Sequence, residues 1–481
     1  MKNIFYFTAP FFFTAILQIL ALAVYVNYIK PDQFGIYALT CFVANIVLGF
    51  SSFGLITVYQ RNYFKYESQK EKDDLLFSII TFIIFNILIF GFLIWNISPL
   101  LSKYIFNTEI KNYIVLLGVT YIGFKQLNQF FYVYYKNIRN GKKFMYFNLS
   151  ESLISFIFSC FFLIFLKLEL IGLLLGQAIS VFFIFIIQAI LYFNFGTNYL
   201  NKKILYESII LGLPLSPSNI VKSFGSQFDR FIINLTDSLG NVGIYDIGSK
   251  ISNLSFMFST SLQSIFQPNI LERYFSKDKN LIKEIGQYLT PFFYLSSFFC
   301  VINILFAKEI LIIISAEEYL NAVPVIVILS LLYSCHFFLK QPQLLFAKKT
   351  GIISILSIGN ILLNIIMNYP FVKFFGMIGA AYSTFICGML HIILFFYYSQ
   401  KYSKIFWENR KMISIYFYVL LSGILTLFLF YNTLSLSLNI IFKLLIVMIY
   451  LLMGYSFKII NYKYILKNLK FINLYIRNEK V

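Results

Sequence analysis

The chain has 481 residues, 59% hydrophobic and only 12% charged, with a net charge of +19. Apolar runs of about 20 residues recur from end to end, which excludes a soluble globular protein and predicts an all-α polytopic membrane protein. The connecting loops are at most about 17 residues long, so neither a nucleotide-driven motor nor a soluble catalytic domain has room, and no glycine-rich phosphate loop occurs.

In chain order the apolar runs predict fourteen spans, at roughly 4–28, 35–59, 75–101, 113–135, 144–166, 171–193, 208–235, 243–270, 287–307, 322–345, 352–369, 376–399, 413–431 and 437–457. Lys2 and the Ala21-Leu22-Ala23 sequence give the first span a passing likeness to a cleaved signal. Its apolar stretch is too long for a signal core, so it is expected to be retained. Pro10 in this span is matched 207 residues later by Pro217. Gly35-Ile36-Tyr37 returns as Gly243-Ile244-Tyr245, offset by 208, and Ile171-Gly172 as Ile378-Gly379, offset by 207. The repeat predicts two parallel six-helix lobes, residues 1–200 and 201–402, followed by 403–481 with two extra transmembrane helices and a basic tail. Parallel repeats are related by an axis along the membrane normal, and the cleft between them is the natural transport path.

With the N-terminus inside, the inner segments carry 27 Lys and Arg residues and the outer segments six. The bias predicts cytoplasmic termini and an even number of spans. It accounts for the basic excess as orientation and attraction to anionic lipid, so no nucleic-acid partner is expected. The five cysteines lie singly within apolar spans and predict neither disulfides nor metal ligation. His336 and His391 occupy different spans, without a neighbouring carboxylate. With no nucleophile, acid–base or metal constellation, the chain is expected not to be an enzyme and to need no cofactor.

Charges inside a bilayer cost about 2.5–3.5 kcal/mol each on insertion scales, so those that persist require a reason. Spans seven and eight hold Lys222, Asp229, Arg230, Asp246 and Lys250. Antiparallel register about residue 238 sets Arg230 opposite Asp246 and Lys250 one turn from Asp229, and Asp246 and Lys250 are spaced i,i+4. These four residues are expected to form structural ion pairs, as are Lys125 of span four and Glu151 of span five. Lys222 falls at the middle of its span without a nearby carboxylate, which suits a hydrated cavity or an anionic ligand. Pro214 and Pro217 remove two amide donors beside it and, with Pro10, are expected to break helices and line a cavity. Lys125 is a second candidate cation, and Gln18, Ser226 and Gln227 are candidate polar wall residues. Lys443 is expected to reach an interface by snorkelling. The repeat places Ala15 against Lys222 and Leu332 against Lys125, so the scaffold is duplicated while these charges are not.

The run Gly212-Leu213-Pro214-Leu215-Ser216-Pro217, then Asp229-Arg230-Phe231-Ile232-Ile233, then Leu239-Gly240-Asn241-Val242-Gly243-Ile244-Tyr245 resembles the middle region of Wzx-type polysaccharide flippases. These belong to the multidrug/oligosaccharidyl-lipid/polysaccharide transporter superfamily. Phe34-Gly35-Ile36-Tyr37 and Gly376-Met377-Ile378-Gly379-Ala380-Ala381 resemble its other recurring pieces. The resemblance implies a bacterial inner-membrane flippase with two lobes alternating about a central cavity. Its cargo would be an undecaprenyl-diphosphate-linked oligosaccharide for O-antigen or capsule, with membrane lipids, a polysaccharide polymerase and glycosyltransferases as partners. Lys222, with Lys125, would then meet the diphosphate or an acidic sugar. A MATE-type multidrug exporter, which would need an unpaired membrane carboxylate, a lipid II flippase and a membrane scaffold are the alternatives.

Overall fold

The computed structural model of the chain describes residues 2–106, 110–193, 200–225, 227–275, 284–314, 317–340, 343–347, 349–431 and 436–459, all helix or short connection without a strand. The N-terminal part contains α1 (Lys2–Tyr28), α2 (Pro31–Ser51), a short α3 (Leu55–Asn62) and α4 (Gln69–Leu101). It continues through α5 (Asn112–Asn137), α6 (Gly141–Cys160) and α7 (Glu169–Tyr192). Helix α4 runs on as a π turn over Ser102–Phe106, and α6 over Phe161–Phe165.

The next stretch is broken into α8 (Lys202–Gly212), a 3-10 turn (Leu213–Leu215), α9 (Ser216–Gly225) and α10 (Phe228–Thr236). Then follow α11 (Leu239–Phe275), α12 (Ile285–Leu305), α13 (Ala307–Ile314), α14 (Val323–Cys335), α15 (Gln343–Phe346), α16 (Thr350–Tyr402), α17 (Asn409–Tyr431) and α18 (Leu436–Ser456).

Polar residues at the predicted span ends start these helices. Ser68 caps α4: the Glu71 amide donates to the Ser68 hydroxyl (3.2 Å), which in turn donates to the Glu71 carboxylate (2.9 Å). Asn140 caps α6 by accepting from the Lys143 amide, and Asn201 caps α8 from the amides of Lys203 and Ile204. Pro31 opens α2, where a missing amide proton costs nothing.

Helix α16 comprises two predicted spans joined without a loop. Gly376, at φ 58° and ψ −147°, reverses the chain in a conformation closed to other residues. The Met377 amide donates to the Asp237 carboxylate (3.2 Å) and fixes this corner to the end of α10. Pro10 behaves otherwise than expected: α1 continues helically through it, and it breaks nothing. The chain is interrupted instead at Pro214 and Pro217, which occupy the 3-10 turn and the first turn of α9, and again between α9 and α10.

Nine helices among the described residues are long and apolar enough to cross a membrane, against the fourteen spans expected. The shortfall is α16, which counts once; α8, α9 and α10, of 11, 10 and 9 residues; α1, which counts only as a shorter apolar helix over Phe13–Tyr28; and α5 and α11, whose apolar character is diluted by polar side chains. Helix α5 packs on α2, α4 and α7, while α6 packs on α1 and α7. Helix α11 packs on α12 and α14, against which α17 also lies.

The most extensive contact joining these groups is α2 against α11, at the end of the bundle where both begin. There the repeated glycines are indispensable. A Cβ on Gly35 would lie 2.1 Å from the Leu239 carbonyl oxygen, and one on Gly243 would lie 2.1 Å from that of Pro31. Both obstacles are backbone, which cannot rotate away.

The last two helices are firmly docked. Tyr294 of α12 and Tyr450 of α18 each donate their hydroxyl to the other's backbone carbonyl (3.0 and 2.9 Å), with stacked rings. Lys443 does not snorkel to an interface: its side chain is 2% exposed and its ammonium contacts both oxygens of Glu309 at 2.6 and 2.7 Å.

Candidate functional site: a cation-lined cavity

A cavity of about 630 Å³ lies among α2, α3, α5, α9, α10 and α11. Its wall is built from helical stripes. Tyr37, Cys41 and Asn45 lie along α2 and Ser52 just past its end, while Tyr121, Lys125 and Gln129, each four residues from the last, lie along α5. Asn219, Ser223, Gln227 and Arg230 continue the wall across the break between α9 and α10, and Asp246 and Lys250 complete it from α11. Residues three or four apart share one helical face, so each stripe is one side of its helix turned inward.

Among the described side chains, three bases and one carboxylate share the space: Lys125, Arg230 and Lys250 with Asp246. Arg230 places both Nε and Nη2 at 2.8 Å from Asp246 Oδ1, and its Nη2 also donates to Ser249 Oγ at 3.0 Å. Lys250 Nζ stands 2.7 Å from Asp246 Oδ2. It also lies 4.6 Å from the ring centre of Tyr37 and 5.1 Å from that of Phe34, both on α2. Lys125 is exposed to the cavity, with its ammonium 3.3 Å from the Tyr121 hydroxyl and no carboxylate within ion-pair distance among the described residues.

Two of the expected ion pairs are absent from the described residues. Glu151 does not pair with Lys125: it accepts from Asn128 Nδ2 (2.9 Å) and the Tyr132 hydroxyl (2.6 Å). Antiparallel register gives depth in the membrane but not azimuth. Asn128 and Tyr132 form one face of α5, toward α6, whereas Tyr121, Lys125 and Gln129 form another. Asp229 pairs with no base either. It is buried and accepts from Tyr245 (2.6 Å), Thr384 (3.2 Å) and Asn368. Asp229 and Arg230 are consecutive, hence about 100° apart on α10; one faces α16 and the other the cavity.

Of the candidate wall residues, Gln227 lines the cavity, with its Oε1 buried and unpartnered. Gln18 is exposed on α1, outside the described lining. Lys222 falls within α9, but its side chain, like the whole of Ser226, lies outside the described residues. The prolines are not among the described lining residues. Sequence reasoning missed Tyr37, Asn45, Tyr121, Gln129 and Asn219. The available signal was spacing by four on otherwise apolar spans: Tyr121 and Gln129 are each four from Lys125, Tyr37 and Asn45 are each four from Cys41, and Asn219 is four from Ser223. A second cavity, about 330 Å³ and walled by apolar side chains such as Leu88, Phe92 and Trp95, lies between α4 and α5 and carries no ionisable group.

Comparison with known structures reveals the same architecture elsewhere. The lipid II flippase MurJ in an inward closed conformation superposes with a TM-score of 0.70 at 17% identity, over 94% of this chain and 99% of that one. The MATE multidrug transporter DinF-BH gives 0.59 at 16% identity, over 84% and 96%. At these identities the likeness is one of fold. In sequence, the probable low-salt glycan biosynthesis flippase Agl15 of Haloferax volcanii is 24% identical over 207 residues, 41% of this chain. The match spans 43% of that relative's length. The family model described as "Polysaccharide biosynthesis protein" matches residues 1–268, more than half of the chain and all the elements that wall the cavity. The chain therefore belongs to the polysaccharide biosynthesis protein family.

Proposed function

We propose that this protein is a flippase that carries undecaprenyl-diphosphate-linked oligosaccharide units across the bacterial inner membrane, for O-antigen or capsular polysaccharide. The observation that carries the reading is the cavity: polar, of ligand size, and lined among the described residues by three bases against one carboxylate. A lipid diphosphate needs cationic partners, its sugars need a wet wall of amide, hydroxyl and aromatic groups, and its tail can remain in the bilayer. Family membership, the glycan flippase relative and the MurJ-like fold support the same class.

On this reading residues 1–200 and 201–402 are two lobes that rock about the cavity, both termini are cytoplasmic, and 403–481 is peripheral. Lys125 and Gln227 contact cargo, and Lys222 joins them by its mid-span position in the sequence. Arg230, paired with Asp246, holds its wall together. A cation exporter is disfavoured because the cavity is net positive and its one carboxylate is claimed by two bases.

Deleting the gene should cause lipid-linked oligosaccharide to accumulate on the cytoplasmic face and surface polymer to disappear, with drug tolerance unchanged. Complementation with Lys125→Ala should restore normal protein levels but less than about a tenth of the polymer, since about 1.4 kcal/mol of lost binding is tenfold. Full polymer with Lys125→Ala, or altered drug tolerance alone, would overturn the reading.

A further inference from the structure

Residues 1–200 and 201–402, the two lobes of the flippase reading, meet at both ends of the cavity, and the ties at the two ends differ in kind. Where α2 and α11 begin, Pro31 and Gly35 lie against Gly243 and Leu239. Cavity residues follow within two turns on each helix, Tyr37 on α2 and Asp246 and Lys250 on α11. The crossing therefore closes this end of the cavity. Two buried side chains of the second lobe bond to the first lobe here. The Tyr319 hydroxyl, in the 3-10 turn Glu317–Ala322 ahead of α14, donates to the Ile29 carbonyl at 2.7 Å. Asn234 Nδ2 of α10 donates to the Ile105 carbonyl at 2.6 Å. Phe34, buried beside the crossing, is touched from the second lobe by the Tyr319 ring, edge-on with centres 6.1 Å apart, and by the Lys250 ammonium at 5.1 Å. At the far end Lys65 and Glu207 stand 3.2 Å apart but are 55% and 38% exposed, and an ion pair so exposed contributes little.

We propose that Tyr319 and Asn234 are latch residues: their bonds to the Ile29 and Ile105 carbonyls hold this end of the cavity shut, and both break when cargo passes the α2–α11 crossing. This deepens the flippase reading and rests on it. Both acceptors are backbone carbonyls at helix ends, Ile29 just past α1 and Ile105 in the π turn after α4, where intrahelical partners run out. Opening exchanges each bond for one to water, so neither donor nor acceptor is left buried and unpaired. No ion pair among the described residues has to be parted at this end. Lys250 keeps its Asp246 partner on its own helix and gives up only the rings of Phe34 and Tyr37. The glycine contact fits closely but supplies no directional bond. The two hydrogen bonds therefore set how firmly the end stays closed. One net hydrogen bond is worth about two- to twelvefold in an equilibrium constant, enough to bias the resting state and little enough to break in every cycle.

Cys41, half-buried on the cavity wall, reports when this end opens. Sealed membrane vesicles of each orientation carry the full-length protein with Cys160→Ser, in which the other three native cysteines are buried. A membrane-impermeant methanethiosulfonate is added outside, and modification of Cys41 is followed by mass spectrometry. From the side on which α2 and α11 begin, Tyr319→Phe and Asn234→Ala should each speed modification at least twofold and the double variant at least fivefold. The rate from the opposite side should stay the same or fall. Tyr319→Phe keeps the ring against Phe34 and removes only the hydroxyl, so it serves alone if Asn234→Ala does not fold. An unchanged rate in Tyr319→Phe, or equal acceleration from both sides, overturns the proposal. In a second arm, Asp32→Cys with Gly240→Cys is oxidised in cells to lock the crossing, and surface polymer should fall below about a tenth of the level regained on reduction. Full polymer from the locked protein also overturns the proposal. A deletion strain that keeps its polymer, with the vesicle rates responding as expected, removes the flippase reading and leaves the latch standing.

Discussion

Asp229 and Asp246 show at residue scale how the same side chain serves two ends. Both are buried, yet Asp246 is neutralised by bases and Asp229 is solvated by three neutral donors. Removing one partner of a buried polar cluster leaves the others unmatched, at about 1–3 kcal/mol for each orphaned donor. Asp229→Ala orphans the Tyr245 hydroxyl, the Asn368 amide and the Thr384 hydroxyl together. It should therefore lower the yield of monodisperse protein severalfold, with Asp229→Asn intermediate, as measured by size-exclusion chromatography of a fluorescent fusion. Normal yield from Asp229→Ala would show that these bonds contribute little. The identity of the charged residues was legible in the sequence, as was the pairing of 230 with 246 by register. What faces Asp229 was not: Asn368 and Thr384 are 139 and 155 residues away, and no local rule connects them.

Among elements, α2 and α11 make the most extensive helix–helix contact among the described residues. They are the repeat-related helices, they begin at the same end of the bundle, and they touch through glycine. The Gly-Ile-Tyr repeat thus marks a close helix crossing, and small residues at such crossings let two backbones approach within van der Waals contact. Each tyrosine of the repeat then binds its own side, Tyr37 to Gln177 of α7 and Tyr245 to Asp229 of α10. Gly35→Val should force α2 from α11, because the added carbon meets a carbonyl oxygen at 2.1 Å. Cysteines at Asp32 and Gly240, where a Cβ on 240 would lie 2.8 Å from the Asp32 carboxylate, report the separation. Their disulfide should form readily in the parent and at least fivefold more slowly with Gly35→Val. An unchanged rate would mean that the crossing accommodates the side chain elsewhere. The broken stretch α8 to α10 was legible from Pro214 and Pro217, whereas the continuity of α1 through Pro10 was not. One proline removes one amide donor, and the neighbouring turns of α1 remain helical around it.

Viewed as a whole molecule, the chain is asymmetric in two respects that the repeat does not predict: the cavity charges and the pair α17–α18. The second pair is more than an addition to the end. The Tyr294–Tyr450 clasp and the Lys443–Glu309 pair fix α18 to α12 and α13. Breaking a buried ion pair by removing one partner costs about 3–5 kcal/mol, whereas replacing both members by apolar groups is often neutral. Lys443→Ala should accordingly lower the thermal midpoint in detergent by several degrees. Glu309→Leu with Lys443→Met should recover most of the loss and leave polymer export at the parental level, since neither residue is among the described cavity residues. Equal destabilisation by the double variant would show that the pair supplies net stability.

The amino-acid sequence by itself determined the membrane class, the helical character, the interruption at Pro214 and Pro217, and the charges that need explanation. Each of these follows from local composition and spacing, because a bilayer allows backbone polar groups few ways to be satisfied. Only the tertiary structure decided which face of each helix turns inward. It separated Glu151 from Lys125, gave Asp229 to neutral donors, and gathered polar stripes from α2, α5 and α9 around one cavity. The azimuth of a helix is set by packing against neighbours far away in the chain, and the 3.6-residue period fixes only which residues share a face.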